Sequence, residues 1–244
     1  MLDRTNDVVM VSGANRGVGL AITRNLLARG YRVSAGARNV DALRSALDSE
    51  LAVLGDDSPS RLLLNDYDAL AARSDERWVD NTMATFGRLD VVVNNAGILD
   101  ENNLESLSMD ALDLLIDVNV KGPLRMTQLT LPHLRASGAG RIVNVSSLSG
   151  LRVKGTFAPG YAMTKHAVIA LGEATKNLAW DDGVRVTAVC PGFIATDMID
   201  HLGNDPETII NPADLAELIA TTIALPNSAS VAQLAVSCRL ESHF

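Results

Sequence analysis

Four short runs limit what this chain can fold into: "DVVMVSG" from Asp7, "LDVVVNNAG" from Leu89, "RIVNVSS" from Arg141 and "VRVTAVCPG" from Val184. Each is apolar on consecutive residues rather than on alternate ones. That pattern belongs to strands buried on both faces, as in a parallel sheet. With three weaker runs added, strands are expected at 7–12, 31–37, 60–65, 89–94, 140–146, 184–190 and 231–237. Helical patterns fall between them, near 17–29, 40–54, 69–87, 107–136, 160–180 and 212–224. This alternation predicts an α/β fold: a doubly wound parallel sheet of about seven strands, with helices on both faces and right-handed crossovers.

With 244 residues, 47% of them hydrophobic, the chain suits one domain over 1–244 with a large core. It shows no repeat, linker or break in composition. No apolar run reaches the roughly 18 residues of a membrane span, and the N-terminus lacks a signal-peptide stretch. A cytoplasmic location and no membrane partner are expected. Cys190 and Cys238 read as reduced thiols, and the four scattered histidines suggest no metal site. A net charge of −8 argues against a nucleic-acid partner, though not against one local basic pocket.

The first strand runs into "SGANRGVGLAITRNLL", with Gly13, Gly17 and Gly19 just before an amphipathic helix. Dinucleotide binding in a Rossmann-type sheet needs this order. One glycine permits the turn, another lets backbone approach a pyrophosphate, and the last lets helix and strand pack closely. The helix N-terminus then offers unpaired N–H groups and partial positive charge. The second strand ends at Ala37 followed by Arg38, where NAD-binding sheets often place an acid, and Arg16 lies in the loop itself. Two guanidiniums and no carboxylate suit a ribose 2′-phosphate, so NADP(H) is favoured and NAD(H) stays possible. Asp66 either accepts a bond from the adenine or caps the next helix. In "NNAG", Asn94 to Gly97, the amides can tie strand ends together, while Gly97 clears space for the cofactor.

Further along come "DVNVKG" with Asn119, "SS" at Ser146 and Ser147, "YAMTK" from Tyr161 to Lys165, and "PGFIATDM". Tyr161 and Lys165 are four apart, on one helix face. Each residue alone has an ordinary role open to it: a surface pair, a turn cap at Ser147, an irregular helix at Asn119. Together and in this order, the five motifs resemble the short-chain dehydrogenase/reductase family over roughly 7–225. The resemblance implies an oxidoreductase with NAD(P), interconverting a carbonyl and an alcohol. It implies Tyr161 as general acid/base, Lys165 as its partner on the nicotinamide ribose, Ser147 holding the substrate oxygen and Asn119 keeping a relay water. Cofactor contacts are implied at Gly13, Asn15, Arg16, Gly17, Val18, Gly19, Arg38, Asp66, Asn94, Ala96, Gly97, Tyr161, Lys165, Pro191, Gly192 and Thr196. A free phenol with pKa near 10 is a poor base at neutral pH, and a nearby ammonium is expected to favour its charged form.

Two features depart from the family's pattern. The spacing between Ser147 and Tyr161, residues 148–160, is one longer than is usual, which should reshape the pocket rim. The tail "SVAQLAVSCRLESHF" lacks a glycine-rich turn and resembles the serine dehydrogenase-like branch, against a fatty-acid-synthesis ketoreductase. The segment of about 196–212 should cover the substrate. Leu99, Leu148, Leu151, Val153, Phe157, Phe193 and Met198 are expected pocket walls, mostly apolar, which suggests a nonpolar aldehyde or ketone. His201 reads as a surface residue of the covering segment. Apolar residues on several faces of the helices near 107–136 and 160–180 suggest a homotetramer, with a dimer as runner-up. Oxidative alcohol or hydroxy-acid dehydrogenation, and a non-catalytic NADP(H)-binding regulator, are the other functions these residues allow.

Overall fold

The computed structural model describes residues 6–203 and 205–240. Residues 1–5, Asn204 and residues 241–244 lie outside them, and with them one residue of the expected covering segment and the last four of the tail. Seven strands form one sheet: β1 (Val8–Ser12), β2 (Arg32–Ala37), β3 (Leu62–Asp66), β4 (Val91–Asn94), β5 (Arg141–Val145), β6 (Arg185–Pro191) and β7 (Gln233–Val236). Every pairing is parallel, and the order across the sheet is β3-β2-β1-β4-β5-β6-β7. The helices are α1 (Gly17–Ala28), α2 (Val40–Ala46), α3 (Asp48–Leu54), α4 (Ser58–Arg61), α5 (Ser74–Phe86), α6 (Met109–Ile116), α7 (Gly122–Ala136), α8 (Pro159–Ala179) and α9 (Pro212–Ile223).

Side chains alternate across each strand, and here both faces are covered. Val9, Val11, Val33 and Val93 pack with Ile22 and Leu26 of α1, Leu43 of α2 and Leu215 and Ile219 of α9. Val8, Met10, Val92 and Ile142 pack on the other face with Trp78 of α5, Met126 and Leu134 of α7 and Ala179 of α8. The consecutive apolar runs exist because successive residues feed two different cores.

The chain winds outward from β1 through β2 to β3, then returns to β4 on the other side of β1. That reversal opens a crevice beyond the carboxyl ends of β1 and β4, where ligands bind in open sheets of this kind.

Three expected helices differ in detail. The 40–54 pattern bends at Leu47, which is fully buried with Leu43, while α3 buries no side chain. The 69–87 pattern begins only at Ser74: residues 69–73 form a turn, with Arg73 left-handed at φ 58°. The 107–136 pattern is one helical run interrupted by a π-turn over Asp117–Lys121. Pro123 has no N–H for the carbonyl of Asn119, so the regular ladder is already broken there.

Candidate active site

A cleft of about 530 Å³ opens at the reversal point of the sheet. Its first wall is the glycine loop. Gly13 and Gly17 have φ of 67° and 53°, a region L side chains avoid. A Cβ on Gly19 would lie 2.1 Å from the carbonyl oxygen of Gly13, so this glycine lets α1 close onto the loop. Ser12, just before the loop, accepts hydrogen bonds at Oγ from the amides of Asn95 (2.9 Å) and Ala96 (3.0 Å). Asn95 Nδ2 donates to the carbonyls of Ser12 (2.9 Å) and Gly13 (3.3 Å). These bonds lock the ends of β1 and β4 together. No side chain caps the first turn of α1, and no acid lies in it. Its amide donors and Gly13, Asn15, Gly17 and Val18 face the cleft. This donor set fits a pyrophosphate.

Arg16 and Arg38 line the same end. Arg16 pairs at 3.3 Å with Asp197, both side chains well exposed, and Arg38 is exposed beside buried Ala37. Asp66 does not line the cleft. It is exposed at the end of β3, and Tyr67, Asp68 and Leu70 form that wall. Asp66 caps no helix either: α5 starts at Ser74, and the residue before it, Arg73, makes no side-chain cap. Asn94 is buried, its Nδ2 donating to Asn144 Oδ1 of β5 at 2.8 Å, so it ties strands and stays off the cleft surface. Ala96, Gly97, Pro191, Gly192 and Thr196 all line the cleft.

At the other end α8 begins abruptly. Ala158 is left-handed at φ 50° and Pro159 sits at the helix start, so Tyr161 falls in the first turn. Ser147 caps the 3-10 turn Leu148–Gly150 that follows β5, its Oγ accepting from Ser149 N at 3.1 Å. Burial pushes the Tyr161 phenol up to about 12, and the neighbouring Ser147 side chain opposes the rise. Lys165 Nζ lies 5.4 Å from the Tyr161 ring centroid and donates to the Val145 carbonyl at 2.8 Å. Burial lowers Lys165 to about 8, and the nearby Cys190 sulfur opposes that. The protein alone therefore does not make Tyr161 a base near neutrality, because desolvation outweighs the opposing effect of Ser147.

Asn119 lies inside the π-turn, 2% exposed. Its Oδ1 accepts from Ile98 N at 2.9 Å; its Nδ2 donates to Ile98 O at 2.9 Å and to Thr164 Oγ1 at 3.1 Å. Thr164 in turn donates to the Tyr161 carbonyl at 2.8 Å. A Cβ on Gly97 would come 3.2 Å from Asn119 Oδ1 and 3.6 Å from Lys165 Nζ. Asn119, Lys165 and the end of β4 therefore meet at one point, although Asn119 does not itself line the cleft.

Among the expected pocket walls, Leu99, Leu148, Phe157, Phe193 and Met198 line the cleft. Leu151 and Val153 do not: Leu151 packs on Ile169, Ala188 and Cys190, and Val153 is 60% exposed. The covering segment is anchored where Ile210 N donates to Phe193 O at 2.9 Å and Ala195 N to Ile210 O at 2.9 Å. His201 is exposed and meets Glu101 Oε1 at 2.6 Å, linking that segment to the loop after β4. Of the two amides expected to tie strand ends, Asn95 joins β4 to β1 and Asn94 joins it to β5. Sequence reasoning missed Ser12, whose signal was its place at a strand end beside the glycine loop, and Thr164, which stood inside the quoted "YAMTK".

Among the described residues no helix is long and apolar enough to cross a membrane. The family model described as short chain dehydrogenase matches residues 7–207. An agropine synthesis reductase from Rhizobium rhizogenes is 41% identical over 239 residues, 96% of this chain and 53% of that protein. The chain thus spans about half the length of the first curated relatives it matches. Among solved structures, an alcohol dehydrogenase from the archaeon Thermococcus sibiricus, complexed with 5-hydroxy-NADP, superposes with TM-score 0.85 at 29% identity, covering 94% of this chain and 95% of that one. A metagenomic short-chain oxidoreductase in complex with NADP gives TM-score 0.82 at 27% identity, covering 98% and 100%. The parallel sheet wound around a glycine loop, the gathered motifs and these likenesses agree: the chain belongs to the short-chain dehydrogenase family.

Proposed function

We propose that the protein is an oxidoreductase that reduces an aldehyde or ketone with NADPH, with Tyr161 giving the proton. The observation that carries the reading is the gathering of Ser147, Tyr161 and Lys165 on one cleft, with Lys165 Nζ 5.4 Å from the Tyr161 ring centroid and Asn119 tied to the Tyr161 backbone through Thr164. When bound, the nicotinamide cofactor supplies the hydride. Gly13, Asn15, Gly17 and the first turn of α1 would hold its pyrophosphate; Thr196 and Gly97 lie where it would pass. Arg16 and Arg38 would take the ribose 2′-phosphate, one reason to favour NADPH; the 5-hydroxy-NADP and the NADP of the two solved relatives support the same choice.

The rest is done by side chains. Ser147 polarises the carbonyl oxygen and holds it beside the phenol. Tyr161, kept protonated by burial, is an acid ready to donate as charge builds on that oxygen. Lys165, close to both the phenol and Asn119, is placed to resupply the proton, and Asn119 fixes the backbone at Ile98 that borders the site. Exposed Leu114, Leu124 and Met163 on α6, α7 and α8 support self-association through these helices, which we assign to a homotetramer.

A panel of aldehydes and ketones, followed by loss of NADPH absorbance, tests the function. Stoichiometric NADPH oxidation with alcohol formation is expected. Turnover without net cofactor consumption would overturn the redox reading. Tight NADPH binding with no turnover of any panel member would favour a regulatory protein instead.

A further inference from the structure

Thr164 stands between Tyr161 and Lys165 in the chain, yet it is buried and does not line the cleft. Its hydroxyl makes two bonds. Oγ1 accepts from Asn119 Nδ2 at 3.1 Å and donates to the Tyr161 carbonyl at 2.8 Å. Asn119, also buried, meets the backbone of Ile98 with both ends of its amide: Oδ1 accepts from Ile98 N and Nδ2 donates to Ile98 O, each at 2.9 Å. Ile98 lines the cleft, next to Gly97.

The direction of these bonds is forced. The two bonds to Ile98 decide which end of the Asn119 amide is oxygen, because a flipped amide would set donor against donor and acceptor against acceptor there. One Nδ2 hydrogen is left, and it points at Thr164. Thr164 Oγ1 must accept it, so the only hydrogen of the hydroxyl goes to the Tyr161 carbonyl. In the ladder of α8 that carbonyl also faces the amide of Lys165, four residues on. The bonds thus run one way, from the loop after β4 through the π-turn to the first turn of α8, and end at the joint between Tyr161 and Lys165. The start of α8 has no side-chain cap to hold it, so the tie through Thr164 fixes the Tyr161 backbone from within the helix. Asn119 and Thr164 are too deeply buried for bulk water to stand in for a lost partner.

We infer, on the reading of Tyr161 as the proton donor, that Thr164 is a positioning residue of the reaction. Acting through Asn119 and the Tyr161 carbonyl, its hydroxyl holds the phenol in register with the cleft wall at Gly97 and Ile98. Thr164 touches no reacting atom. It sets the place of one that does, and a proton donor shifted by a fraction of an ångström to an ångström loses much of its rate advantage. Ordinary packing asks only for the volume and the methyl group of Thr164; the two bonds ask for its hydroxyl.

The test measures kcat and KM for carbonyl reduction in Thr164→Val and Thr164→Ser. Rates are taken per NADPH-binding site, counted by fluorescence titration, so that unfolded protein does not enter. T164V keeps the shape and loses the hydroxyl; T164S keeps the hydroxyl and loses the methyl. T164V is expected to lower kcat about tenfold, with KM for carbonyl and NADPH within about twofold of the natural values. T164S should keep kcat within about threefold of the natural chain. A fall in T164V of less than about threefold, or a T164S as slow as T164V, would overturn the inference, and an inactive Tyr161→Phe would then leave the reductase reading standing. If T164V binds no NADPH, Thr164→Cys, similar in size and only a weak donor, takes its place under the same criterion. If the natural chain reduces no carbonyl of the panel, the reductase reading falls, and amide hydrogen exchange decides the tie itself. Exchange at Ile98 about tenfold faster in T164V but not in T164S supports it, and equal rates in all three chains overturn it.

Discussion

Replacing Lys165 by Met tests the electrostatics of the site through stability. The ammonium is 5% exposed, and burial lowers its pKa from 10.5 to about 8. Below pH 8 both folded and unfolded chains hold the proton, and the folded state carries the full cost of a buried charge. Between pH 8 and 10.5 the unfolded chain still holds it while the folded chain has lost it. Unfolding then takes up a proton, so Lys165's contribution to stability rises with pH across that window. At roughly 1.4 kcal/mol per pKa unit, the rise amounts to about 3 kcal/mol. Cys190, pushed up to about 11 by burial, remains a thiol through most of it. Met fills similar space and does not titrate. Urea unfolding of both chains, at fixed protein concentration and at several pH values from 7 to 11, gives the difference between them. The natural chain should gain about 3 kcal/mol on the variant as pH rises through this range. Parallel curves would refute the reasoning, and a gain toward low pH would mean that a partner holds the charge more strongly than burial opposes it.

Three further outcomes follow from the geometry. Gly19→Ala puts a Cβ against the Gly13 carbonyl, and should cost about 3 kcal/mol in unfolding experiments and weaken NADPH binding more than tenfold by fluorescence titration. Arg38→Asp should weaken NADPH about tenfold or more, by loss of a charge-assisted contact, and leave NADH affinity much less changed; unchanged NADPH affinity would remove the 2′-phosphate assignment. Light scattering at micromolar concentration should give a tetramer mass, and a monomer mass would contradict the assembly.

The sheet was legible because strands buried on both faces need apolar residues at successive positions, and few other structures do. The glycine loop was legible through its place between strand and helix. Three things were not. The bend at Leu47 leaves the helical period of 40–54 intact, so no pattern marks it. The π-turn around Asn119 adds one residue to a turn without disturbing the apolar face. Asp66 and Asn94 were expected at the cofactor because both end strands, but direction along a strand alternates, and one residue separates exposed Asp66 from the Tyr67–Asp68 wall.

The central claim is that Tyr161 gives the proton. Tyr161→Phe keeps the ring and removes the hydroxyl that lies beside Ser147. The decisive measurement is kcat for carbonyl reduction together with NADPH affinity in this variant. The account predicts a fall in kcat of about a thousandfold, with NADPH affinity within about threefold of the natural chain, less than one hydrogen bond to a charged group is worth. Reduction at more than a tenth of the natural rate would contradict it.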